Sequence, residues 1–524
     1  ERQIMSIIYD EAQKTITLHT RNTTYQMQVD KYGFLLHLYY GKTAEGCMDY
    51  LLTYYDRGFS GNPYDAGNDK TYSMDSLPQE FPSLGTGDYR TPACIIKNTD
   101  RTYCSDFRYE SHSIRDGKYA LEGLPAVYAD DDEAQTLEVV LEDRVTGVQA
   151  VLLYGVLPEY DIITRSVKIV NGSNGHISVK KLAPACLDMV GGQYDFITFY
   201  GRHAMERNMQ RMPVGHGVQK IGSLRGSSSH QYNPAVIMAE HETTEDAGSC
   251  YAMAFVYSGG FQSEAGQDQY YQTRLLMGLS EEQFAYPLKA GEELQSPEVI
   301  MSYSSEGLAK LSQNLHGCIR THLCRGKYKE VVRPILLNSW EASYFDFTGE
   351  SLLKLASEAA KLGIEMFVMD DGWFGKRDSE LRGLGDWKVN EEKLGCTLGE
   401  LIEKINGMGL KFGIWIEPEM VNEDSDLYRE HPDWAFVIPG RRPNRSRHQL
   451  VLDFSRKEVV DYIYNQICSV LDQGNVEYIK WDMNRSIADV YSATADSQGR
   501  VLHDYVLGLY DFLERLVNRY PNIL

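Results

Sequence analysis

Residues 348–371, TGESLLKLASEAAKLGIEMFVMDD, decide the fold. Thr348 can cap a helix, and Leu352, Leu355, Ala356, Ala359 and Leu362 recur at the spacing of one helix face. Gly363 ends that helix, and Met366-Phe367-Val368-Met369 follows as a strand without polar alternation, closing on Asp370-Asp371. The unit recurs downstream. Thr397 starts a helix with Leu398, Leu401, Ile402, Ile405 and Met408; Gly409 ends it, and Phe412-Gly413-Ile414-Trp415-Ile416-Glu417 follows. Ser455 with Glu458 reads as a capping box for a helix carrying Val459, Ile463, Ile467 and Val470, and Gly474 leads to Tyr478-Ile479-Lys480-Trp481-Asp482. The run from Pro334 to Trp340 supplies a first strand. Strands that are apolar on both faces and joined by helices predict a parallel sheet covered on both sides. An open doubly wound sheet would carry a Gly-rich phosphate loop after its first strand, and Asn338-Ser339-Trp340-Glu341-Ala342 is not one. The pattern therefore predicts a (β/α)8 (TIM) barrel, whose chemistry gathers at the carboxyl ends of the strands.

Upstream, the period changes to two. Ile163, Arg165, Val167 and Ile169 alternate with Ile162, Thr164, Ser166 and Lys168, and Asn171-Gly172 reads as a tight turn. Leu137–Leu141 and Val148–Tyr154 read as further strands. The expected organisation is a large antiparallel β-sandwich domain over 1–300, a helical linker over 301–330 with Leu308, Leu311 and Leu315 at helical spacing, and the first half of the barrel over 331–524.

Across the 524 residues, 52 Lys plus Arg stand against 74 Asp plus Glu, a formal charge of −22. An acidic chain lacks the clustered cations that a nucleic-acid backbone requires, so no nucleic-acid partner is expected. No stretch approaches the roughly 20 apolar residues of a membrane span, so no membrane partner is expected. Nine scattered cysteines form no CxxC pair, which argues against a disulfide framework or structural zinc and points to a reducing cytoplasm. The His residues form no HxH or HExxH pair, so neither a metal site nor a cofactor is expected.

The strand ends collect Trp340 and Glu341; Asp370, Asp371 and Trp373; Trp415, Glu417 and Glu419; and Lys480, Asp482 and Asn484. Each has a plainer reading: a core tryptophan, an Asp-Asp-Gly turn, a solvated loop glutamate, or an i, i+2 ion pair. Ionised groups on buried strands are costly unless paired or functional, and their joint occurrence at several strand ends favours function. Indoles pack on sugar C–H faces and carboxylates accept from vicinal hydroxyls. A retaining glycosidase needs two carboxyl groups about 5–5.5 Å apart.

Lys480-Trp481-Asp482-Met483-Asn484-Arg485 resembles the signature of glycoside hydrolase family 36, the α-galactosidases. Asn338–Ala342, Met369–Gly375, Gly413–Met420 and Ser446–Asp453 match that family in order. So do Asp56-Arg57-Gly58-Phe59, Glu80-Phe81-Pro82 and Gly85–Ala93 in the β-domain. The resemblance implies a retaining exo-α-galactosidase acting on terminal α-D-galactosyl residues of melibiose- or raffinose-type oligosaccharides through a covalent intermediate. It implies Asp482 as nucleophile, with Lys480 a hydroxyl ligand that keeps Asp482 ionised. Asp370 and Asp371 would clasp the 4- and 6-hydroxyls, Trp340 and Trp415 would flank the ring, and Arg447 and Asn484 would bind hydroxyls. It further implies a homo-oligomer, a tetramer, in which Asp56 of a neighbouring copy reaches the site. The family's acid/base Asp follows a strand that would begin where this chain stops, so about half a barrel and no acid/base residue are expected here. Other readings are an α-N-acetylgalactosaminidase or galactosyl transferase on the same scaffold, or a non-catalytic sugar-binding protein.

Overall fold

Between residues 7 and 304 the β-branched and aromatic runs pair as strands, and every strand pairing among the described residues of this stretch is antiparallel. The computed structural model describes residues 6–524, which separate into two compact units divided between Cys324 and Arg325.

The first unit is built on a 10-stranded sheet, with smaller three- and four-stranded sheets beside it. The strand Ile162–Asn171 pairs along its length with Val148–Leu157. It is buried on nearly every residue, so its alternation does not separate a wet from a dry face. Asn171-Gly172 departs from the expected tight turn. Gly172 is not among the residues at positive φ. The Asn171 amide donates to the carbonyls of Gly175 and Leu288, and the chain passes to Ile177–Leu182 in a different sheet. The helix Gly307–His322 lays Leu311 against Ile197 and Ala252 of the large sheet, and Cys318 against Ile162 and Ile300.

The second unit holds four parallel strands in the order β1 (Leu336–Asn338), β2 (Met366–Met369), β3 (Lys411–Ile416) and β4 (Tyr478–Trp481). Helices α1 (Gly349–Lys361), α2 (Leu398–Gly407), α3 (Lys457–Leu471) and α4 (Val501–Arg519) alternate with or follow them. Thr348 and Thr397 each complete a capping box, the first with Ser351 and the second with Glu400. The third expected box does not form. Arg456 occupies the N-cap of α3 without a side-chain bond, and the Ser455 hydroxyl is drawn instead to Asp453. Leu362, expected on the buried stripe, lies just past the end of α1 and is 84% exposed.

Candidate active site

The parallel register brings the chemistry to one edge. Asn338 pairs with Val368, Met369 with Ile414, and Ile416 with Trp481. Asp370, Glu417 and Asp482 are therefore each the first residue beyond a strand's last paired position, and they emerge at the same end of the sheet. Asp370, Asp371, Glu417 and Glu419 are all buried, an arrangement that carboxylates tolerate only when partnered, protonated or awaiting a ligand.

Asp482 is half-buried, and its backbone N–H donates to Ile416 O at 2.9 Å. Its Oδ2 accepts the indole N–H of Trp415 at 3.1 Å and the amide of Asn484 at 2.9 Å. Oδ1 has no hydrogen-bond partner among the described residues, so one oxygen is fixed and the other keeps its acceptor capacity. Trp415 is 2% exposed and stacks on Phe374, centroids 6.2 Å apart. It therefore offers its N–H edge rather than the open face expected for a sugar platform. Trp340 remains half-buried, edge-on to Tyr344 and Phe345.

Lys480 does not contact Asp482. As alternate residues of one strand they share a face, yet the ammonium reaches across the sheet and donates to Asp370 Oδ2 at 2.8 Å, where Asn338 Nδ2 also donates at 2.6 Å. The expected Lys480–Asp482 pairing is thus replaced by Lys480–Asp370. Asp371 turns away from its neighbour to a bidentate pair with Arg377, with Nη2–Oδ2 at 2.8 Å and Nε–Oδ1 at 3.0 Å. Burial raises the Asp371 pKa above the usual carboxylate range despite that guanidinium. Arg377 in turn donates to Asn422 Oδ1 at 3.0 Å. Arg377 is not among the strand-end candidates of the sequence; its place six residues after Asp371, in the loop behind β2, is the available signal.

Arg447 is exposed and donates to Asn484 Oδ1 at 2.8 Å. Arg447 and His448 both lie in the left-handed region, at φ +50° and +59°, a conformation that costs on the order of 1–2 kcal/mol for a residue bearing a Cβ. Asp56 belongs to the first unit, where it is exposed and accepts the N–H of Gly58 at 2.8 Å.

Glu417 and Glu419 form the second acidic layer. Glu417 Oε1 accepts Gln449 Nε2 at 2.7 Å and the backbone N–H of Asn484 at 2.9 Å. Glu419 Oε2 accepts the indole N–H of Trp481 at 2.8 Å. Burial pushes their pKa values up to about 7 and about 8, with their mutual repulsion adding to the rise at Glu419. Among the described residues no three His, Cys, Asp or Glu side chains are arranged to hold a metal ion.

Residues 33–289 match the glycosyl hydrolase family 36 N-terminal domain, and residues 293–524 match the Melibiase family. The chain is 62% identical over 520 residues to the bifunctional α-galactosidase/sucrose kinase AgaSK of Mediterraneibacter gnavus, an alignment covering 99% of this chain and 55% of that protein. It is 44% identical to the α-galactosidase Mel36A of Lactobacillus acidophilus, covering 99% of this chain and 71% of that one. The solved galactosidase domain of AgaSK superposes with a TM-score of 0.97, covering 99% of this chain and 71% of that structure. An AgaA α-galactosidase from Geobacillus stearothermophilus, solved in complex with raffinose, superposes at 0.95 with 40% identity, covering 98% and 71%. The chain thus spans about half the length of the bifunctional relative.

Proposed function

The chain belongs to glycoside hydrolase family 36, and from that premise we propose that it acts within a retaining exo-α-galactosidase, taking terminal α-D-galactosyl groups from melibiose- or raffinose-type oligosaccharides. The carrying observation is the divided state of Asp482, with Oδ2 held by Trp415 and Asn484 and Oδ1 unbonded. In this reading Oδ1 attacks the anomeric carbon as the glycosidic C–O bond breaks. The departing oxygen takes a proton from a second carboxylic acid. Water then attacks the anomeric carbon of the galactosyl-Asp482 ester and releases galactose.

The substrate hydroxyls have donors and acceptors ready. Asp370 with Lys480, and Asp371 held by Arg377, accept the axial 4-hydroxyl and the 6-hydroxyl. Glucose, with its equatorial 4-hydroxyl, would leave those buried acceptors unpaired. Trp340 borders the ring, and Arg447 and Asn484 meet the remaining hydroxyls. A cytoplasmic homotetramer, with Asp56 of a second copy at the site, is the assembly this reading adopts. Among the described residues no helix is long and apolar enough to cross a membrane.

The test is Asp482→Asn in the full-length enzyme. Turnover of an aryl α-galactoside is expected to fall at least about a thousandfold while galactose still binds. A 2-fluoro-galactosyl reagent should label Asp482 of the unmutated enzyme. A label mapped to another carboxylate, or unimpaired turnover in the variant, would overturn the assignment.

A further inference from the structure

Asp482 sits on a strand end that is gripped from both sides by one loop. The loop leaving β3 runs Glu417-Pro418-Glu419, and each of its glutamates reaches a residue beside Asp482 rather than Asp482 itself. Glu419 Oε2 takes the indole N–H of Trp481, the residue before, at 2.8 Å. Glu417 Oε1 takes the backbone N–H of Asn484, two residues after, at 2.9 Å. Asn484 then passes that constraint on, because its side-chain amide holds Asp482 Oδ2 at 2.9 Å. The far side of Glu417 is anchored by Gln449 at 2.7 Å, from the short strand Gln449–Val451. That strand pairs with Met420–Asn422, the continuation of the same loop, and Leu452 N–H donates to Glu419 O at 2.8 Å. The loop is thereby tied down before it touches β4.

Resting on the reading of Asp482 as nucleophile, we propose that Glu417 and Glu419 are positioning residues that fix the rotation of the Asp482 carboxylate by clamping Trp481 and Asn484. Both are buried, at 1% and 3% exposure, and neither forms an ion pair among the described residues. A purely structural carboxylate would ordinarily be given a cation at such depth. Burial also raises both pKa values towards neutrality. The clamp therefore bears less negative charge beside Asp482 than two ordinary glutamates would. Prolines restrict their neighbours, and Pro418 between the two glutamates limits the loop's freedom to let one arm move without the other.

The test uses the full-length enzyme and an α-galactosyl fluoride, whose departing fluoride does not depend on proton donation as an alkoxide does. Glu417→Ala is expected to lower kcat by tenfold to a hundredfold while the inhibition constant of galactose moves less than about threefold, because misaligned chemistry costs rate before it costs ground-state binding. Glu417→Gln, which keeps an oxygen for the Asn484 N–H, should recover kcat to within about threefold. Trp481→Phe tests the second arm without altering a glutamate, for the case that an alanine at 417 fails to fold. It removes the donated N–H, should lower kcat, and should be non-additive with Glu419→Ala. Wild-type kcat in both Glu417→Ala and Trp481→Phe overturns the clamp. So does a galactose affinity that falls in step with kcat, or a Glu417→Gln enzyme as slow as the alanine variant. Asp482→Asn run alongside separates the two claims. If that variant turns over normally, the nucleophile assignment fails; if it is inactive while the clamp variants are unaffected, only the clamp fails.

Discussion

Two buried carboxylate sites, one in each unit, solve the same electrostatic problem in opposite ways. In the β-unit, Glu80 is fully buried and accepts His37 Nδ1 at 2.7 Å and the hydroxyls of Tyr25 at 2.8 Å and Tyr154 at 2.6 Å. The Arg165 guanidinium lies 3.5 Å away. Burial alone would raise its pKa, but Arg165 and then His37 outweigh burial and hold it below the usual value. In the β/α-unit, Glu417 and Glu419 have only neutral donors, and burial lifts them to about 7 and about 8. Asp482 is likewise held only by an indole and an amide. A carboxylate supplied with every partner is finished as a structural element, whereas one left with spare acceptor capacity at a strand end can serve a substrate. Asp370 and Asp371 stand between these extremes, each with one cation, Lys480 and Arg377.

The comparison can be broken most forcefully at Glu80. Glu80→Gln leaves Arg165 buried without its counter-charge and should destabilise the β-unit by about 3–5 kcal/mol, read as a lower denaturation midpoint. A loss of under about 1 kcal/mol would mean that Glu80 is no more committed to stability than the strand-end acids. The second effect is one of sign with pH. Glu80 has a lowered folded-state pKa, so its contribution is present above the unfolded value near 4.5 and is lost as pH falls through the folded one. Glu419 has a raised folded-state pKa, so its contribution is full below about 4.5 and is lost as pH rises through about 8. Calorimetry from about pH 2 to 9 should show the β-unit weakening at the acid end, below the unfolded value near 4.5. The β/α-unit should weaken at the alkaline end, by on the order of 1–3 kcal/mol, and Glu419→Gln should flatten that alkaline limb. Parallel pH profiles for the two units would refute the contrast. The smallest effect belongs to local structure. Thr397→Ala removes a cap from α2 and should cost about 1 kcal/mol in the unfolding of the β/α-unit while leaving the inhibition constant of galactose unchanged.

The helices and strands of the β/α-unit were legible in the sequence because their signals are local. Thr348 and Thr397 cap the helices they were expected to cap, and the strand runs fall within a residue or two of their observed ends. Ser455 misled because a nearby acceptor, Asp453, competes for its hydroxyl. Asn171-Gly172 misled because a turn dipeptide does not reveal whether the next strand returns to the same sheet or leaves for another. In sequence Arg165 is one member of an alternating strand, and only its proximity to Glu80, distant in sequence, makes it part of a buried network.

At the site, the residues were legible as a set and their pairings were not. Hydrophobic period and chain punctuation depend on neighbours within a few positions, so the sequence alone determined that acids and tryptophans would stand at successive strand ends. Which acid is paired with a cation, which has its pKa raised by burial among neutral donors and which keeps a free oxygen depends on donors brought from far along the chain. Lys480 comes to Asp370 and Gln449 to Glu417 only once parallel strands and the loop after β3 have been stacked. Charge and hydrogen-bond energies vary with ångström-scale distance and with burial, so those assignments belonged to the tertiary structure.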